Sequence, residues 1–104
     1  MKPLAPDRIL EAKALRRCIL TQLYQFFVIH PYASMELSEL SEACASLAKT
    51  LNWNLVYLEK SGLLALGRTT DCPPFVACSA DITAAGINLV EDPDIFDKRF
   101  PEFT

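Results

Sequence analysis

Residues 39–66, ELSEACASLAKTLNWNLVYLEKSGLLAL, decide the fold. The first part has the mixed polar and apolar spacing of a short helix (Glu39, Leu40, Ser41, Glu42, Ala43, Cys44) and breaks at Ala45 and Ser46. Leu51, Leu55 and Leu58 then fall at i, i+4 and i+7, on one side of a second helix. Gly62 takes the left-handed terminator position with least strain, and Leu63, Leu64 and Leu66 open an extended segment. Two helices joined by a tight turn, the second running through a glycine stop into a strand, predict the core of a winged helix-turn-helix. In that arrangement the leucines face inward, and the opposite side of the second helix is left at a size that fits a DNA major groove.

Upstream, Pro6 and Asp7 suit the first turn of a helix. Ile9, Ala12, Leu15, Ile19, Leu23, Phe26 and Phe27 then recur near the helical period, so a helix is expected over residues 8–29, ended by Pro31. Arg8, Lys13, Arg16 and Arg17 fall on its more polar side, where solvation is the plain reading and phosphate contact the sharper one. Ser34 or Ser38 is the expected cap of the helix carrying Leu37, Leu40 and Cys44, and Ser46 the expected cap of the next, which should run to about residue 61.

Downstream, the turn-rich residues 67–74 should form the tip of a β-hairpin, with Phe75, Val76, Ala77 and Cys78 as the return strand. Thr83 should cap a last helix over residues 84–91, with Ile87 and Leu89 or Val90 packing on the first helix. Asp92, Pro93 and Asp94 stop it. The expected whole is α+β, mostly α: one winged-helix domain over residues 1–104, with its core at about 8–91 and a tail at 92–104.

The chain has 104 residues, 51% of them hydrophobic and 22% charged, the balance of one globular domain. No apolar run is long enough to span a bilayer, and the N-terminus lacks a secretory h-region, so a cytoplasmic protein is expected. Net charge is −3, against the basic surplus usual in nucleic-acid binders. The acidic residues gather at Glu36, Glu39 and Glu42 and at Glu91, Asp92, Asp94, Asp97 and Glu102. Residues 43–58 hold none, and Lys49 is their only cation.

Among the four cysteines, Cys18 and Cys44 read as small hydrophobes on helix faces, while Cys72 and Cys78 flank two prolines as a possible redox or metal pair. His30, the single histidine, reads as a loop residue without a partner motif. With three glycines and one histidine there is no phosphate loop, two-histidine metal site or nucleophile elbow, so neither an enzyme nor a cofactor is expected.

The residues Glu39, Leu40, Ala43, Leu51 and Leu55, the run 57–63 (YLEKSGL) and the run 82–87 (ITAAGI) resemble bacterial winged helix-turn-helix proteins of the small regulator type, over roughly residues 15–91. The resemblance implies a third helix in the major groove, presenting Ser46, Lys49, Thr50, Asn52 and Trp53. It also implies a wing tip that brings Arg68 and Thr69 to the backbone. The implied function is double-stranded DNA binding in transcriptional regulation or a prophage-type accessory role. The alternative is a protein-interaction module anchored on Trp53, which is either exposed or tucked under the wing. A homodimer is expected through the first helix and the tail aromatics Phe96, Phe100 and Phe103, the rival reading being a tail folded back on its own chain.

Overall fold

Helix α1 (Pro6–Ile29) takes Pro6 in its first turn and Asp7 at its positive end, and its 24 residues extend about 36 Å. The computed structural model describes residues 5–67 and 79–102. After α1 the chain passes through β1 (Met35–Glu36), α2 (Leu37–Ala43), α3 (Ala48–Lys60), β2 (Leu64–Gly67), β3 (Ser79–Ile82), α4 (Ala84–Val90) and α5 (Pro93–Arg99). The sheet is three-stranded, in the order β1-β3-β2. Both ladders are antiparallel, with Leu64 opposite Ile82, Leu66 opposite Ala80, and Met35 opposite Ala80 on the other side.

The core gathers one face from each layer: Ile19, Leu20 and Leu23 of α1, Leu40 of α2, Leu51, Leu55 and Leu58 of α3, and Leu64, Ala80 and Ile82 of the sheet. The expected leucine face of α3 is therefore buried. Gly62, at φ +77, ends α3 as expected, and its N–H bonds back to the Glu59 carbonyl. Thr83 caps α4, its Oγ1 accepting from the Gly86 N–H at 3.2 Å. Gly86 lies where α4 crosses the start of β2: a Cβ there would collide with the Leu63 carbonyl oxygen and sit 2.7 Å from Ile82 Cγ1.

Several expectations are corrected. Neither Ser34 nor Ser38 caps α2, because residues 35–36 are extended and paired to β3; Ser34 Oγ instead bonds Asp81 Oδ2 at 2.7 Å. Ser46 does not cap α3, whose cap position is Leu47 with no side-chain bond. The strand returning to β2 is Ser79–Ile82. Residues 75–78, expected to return, lie outside the described residues, as do Cys72 and Cys78.

The tail is a helix and part of the core. Asp92 stops α4 and also caps α5, its Oδ1 accepting from the Ile95 N–H, with Pro93 in the first turn. Phe96 and Phe100 are 4% and 1% exposed within their own chain, so they offer no surface to a second copy. Phe103 lies outside the described residues. Arg17 fastens this end to α1: its Nη1 donates to Asp97 Oδ1 at 2.7 Å and to the Phe100 carbonyl at 3.0 Å, and its guanidinium lies 4.6 Å from the Phe96 ring centre. Tyr24 Oη adds a bond to Glu91 Oε2 at 2.7 Å.

Candidate nucleic-acid interface

With Leu51, Leu55 and Leu58 inward, helical geometry turns Lys49, Trp53, Val56 and Lys60 outward, at i, i+4, i+7 and i+11. Lys49 and Lys60 are exposed, Val56 is half-buried, and Trp53 is 40% exposed. Trp53 is therefore a partly exposed aromatic on this strip. Thr50 is exposed on one flank of this strip and Asn52 is half-buried on the other.

Ser46 stands apart from the other candidates. It is half-buried in the turn before α3, its N–H bonded to the Ser41 carbonyl at 3.0 Å and its own carbonyl accepting from Ser41 Oγ. Arg68 and Thr69 lie outside the described residues. The turn itself contains Ala45 at φ 48, a left-handed conformation that costs an alanine about 1 kcal/mol. Helix-turn-helix turns often place glycine in this setting.

The structure adds four residues that the reading of α3 alone omitted: Arg16, Asn54, Tyr57 and Arg99. Asn54 is fully buried (0% exposed) on α3; its Nδ2 donates to the Thr50 carbonyl and its Oδ1 accepts from Arg16 Nε, each at 2.9 Å. The Arg16 guanidinium then lies over Tyr57, 3.7 Å from the ring centre, and 5.5 Å from that of Trp53. Arg99 of α5 also acts on Tyr57, lowering its pKa. Burial pushes the Tyr57 phenol up, but hydrogen bonding and the charges of Arg16 and Arg99 carry it below its usual value.

α3 is thus clamped to α1 by a buried amide and an arginine wedged against two aromatics. Among the described residues Arg16 meets no carboxylate, the ion pairs at α1 being those of Arg17 with Asp97 and Glu102. Its charge therefore remains beside the outward strip without an acidic partner. Arg8 approaches the same edge, lining a shallow cavity of about 180 Å³ with Glu11, Leu15, Thr50 and Trp53. Arg8 and Arg16 of α1 thus stand beside Lys49 of α3 at this face, with Glu11 the acidic side chain among them. The signal in the sequence was the pairing of Trp53 with Tyr57 at i, i+4 and the arginines of α1, which only the α1–α3 packing brings together.

No protein-family model matches the chain, and no curated protein matches it in sequence. Among solved structures, it is similar to MepR, a transcription regulator of the Staphylococcus aureus multidrug efflux pump MepA. The match has a TM-score of 0.59 and 22% identity over 81% of this chain. The chain spans 57% of the length of MepR. It is also similar to NadR, solved in complex with 4-hydroxyphenylacetate, with a TM-score of 0.48 and 23% identity over 96% of this chain and 82% of that one. The likeness to MepR establishes a shared winged-helix fold.

Proposed function

We propose that the protein is a regulator that binds double-stranded DNA by laying the outward strip of α3 in the major groove. One observation carries this reading: in a winged-helix fold, the face of α3 opposite its buried leucines presents Lys49, Thr50 and Trp53 and is bordered by Arg8 and Arg16 of α1. Lys49 and Asn52 supply base-edge or phosphate contacts, Thr50 a phosphate contact, and Arg8 and Arg16 neutralise flanking phosphates. Arg68 and Thr69 join them on the strength of the sequence alone. The work is binding rather than catalysis, in a cytoplasmic setting where genomic DNA is accessible.

A homodimer would set two such helices on half-sites one turn of DNA apart. The end of α1 offers the surface for it, since Val28 and Ile29 are 63% and 70% exposed. Fluorescence anisotropy with duplex fragments at two salt concentrations tests the DNA reading. Wild-type protein should bind at low salt and weaken steeply as salt rises, while Lys49→Glu should lose about tenfold or more in affinity at low salt. Absence of salt-dependent binding by the wild type sinks the proposal.

Exposed Trp53 and the net charge of −3 favour a second reading, in which the same face takes a protein partner. Trp53→Ala would then abolish partner binding at a stability cost limited to its packing against Arg16, and have no DNA affinity to alter.

A further inference from the structure

Cys18 and Cys44 come from different parts of the chain yet line one groove. Cys18 lies midway along α1, Cys44 is the residue that ends α2, and the two thiols are close enough that each shifts the other's ionisation. Both are half-buried free thiols, and both line an open groove of about 500 Å³ together with Glu11, Leu15, Ala45 and Thr50. A solvent-borne oxidant therefore has a path to them. No group of three or more metal-ligating side chains occurs among the described residues, so the pair is not part of a metal site there. Hydrogen bonding from Cys44 brings the Cys18 thiol down to about 7 against the opposing effect of burial, while Cys44 is held well above the ordinary thiol range. The first proton lost from the pair thus leaves Cys18, the state in which sulfur is a nucleophile.

We propose that Cys18 and Cys44 form a peroxide-oxidised dithiol whose disulfide shifts the helix-turn-helix turn and weakens DNA binding. The consequence for DNA rests on the function proposed above; the oxidation chemistry does not. The Cys18 thiolate attacks a hydroperoxide oxygen: an S–O bond forms, the O–O bond breaks, and the alcohol or water leaves with a solvent proton. The Cys44 sulfur then attacks Cys18; the S–S bond forms, the S–O bond breaks, and hydroxide departs as water with the proton of Cys44. Two electrons pass from the two thiols to the peroxide.

A disulfide holds its sulfurs about 2 Å apart in a fixed geometry, so in this proposal closure tethers the end of α2 to α1 and draws the two together. The next residue is Ala45 in its left-handed conformation, and Lys49 opens α3 four positions further on. Movement of Cys44 is therefore passed directly to the start of the proposed DNA-contacting helix.

The test treats the reduced protein with hydrogen peroxide, digests it without reductant and maps cross-linked peptides by mass spectrometry. The expected product joins Cys18 to Cys44 and is reversed by dithiothreitol. Unlinked Cys18 and Cys44 peptides, with the oxidant taken up at Cys72 or Cys78, overturn the proposal. In Cys44→Ala, Cys18 should be alkylated by iodoacetamide at pH 7 about threefold more slowly, because less of it is thiolate once its partner is gone, an effect partly offset by greater intrinsic nucleophilicity. An unchanged rate counts against the pairing. The cross-linked wild type should bind duplex about tenfold more weakly than the reduced form, and equal affinity overturns the switch. Failure of the reduced form to bind any duplex sinks the DNA reading instead and leaves the peptide map to decide the dithiol.

Discussion

Arg16 and Arg17 are neighbours in α1, yet a helix turns successive side chains about 100° apart, and they serve different seams. Arg17 points to α5, where Asp97, Glu102, the Phe100 carbonyl and the Phe96 ring surround it. Arg16 points to α3 and, among the described residues, meets neutral groups: the Asn54 amide and the rings of Tyr57 and Trp53. One arginine is neutralised and fastens the tail, whereas the other fastens α3 while keeping its charge beside the outward strip. An identical side chain can thus be structural in one seam and both structural and electrostatic in the other, and the difference lies in its partners.

Arg16→Ala should have the largest effect. It strands the buried Asn54 Oδ1 and removes the contact with Tyr57, costing about 3 kcal/mol in denaturant unfolding. The salt dependence of DNA binding should also shallow by about one phosphate contact. The double variant Arg16→Met with Asn54→Leu sharpens the contrast, because no buried amide is left unpaired. Its stability should return to within about 1 kcal/mol of wild type while the DNA defect persists. Arg17→Ala should cost about 1 kcal/mol, since its ion pairs are with largely exposed carboxylates, and should leave DNA affinity unchanged. Ala45→Gly should have the smallest effect, a gain of about 0.5 kcal/mol seen as a rise of a few degrees in melting temperature, because glycine relieves the left-handed strain but adds freedom to the unfolded chain.

The sequence disclosed what depends on neighbours along the chain. Leu51, Leu55 and Leu58 marked the buried face of α3, Gly62 its end and Thr83 the cap of α4, because each signal lies within a few residues of its effect. Features that depend on distant partners were hidden. The two-residue strand Met35–Glu36 exists only through pairing with Ser79 and Ala80, and this pairing displaced the expected serine cap. Asn52 and Asn54 look alike in the sequence, yet Asn54 is buried because Arg16, 38 residues away, satisfies it. Asp92 and Pro93 stop one helix and start the next, and only the burial of Phe96 shows that the second helix forms. The strip Lys49, Thr50 and Trp53 was legible from α3 alone; its border of Arg8 and Arg16 was not.

Trp53 is the only tryptophan in the chain and stands on the strip itself, so its fluorescence reports that face without a label. Titration with duplex DNA at low salt should give a saturable change in Trp53 emission, reversed by added salt, at the affinity read from labelled DNA. Binding of labelled DNA with unaltered Trp53 emission would contradict the account, because the duplex would then be engaging another part of the molecule.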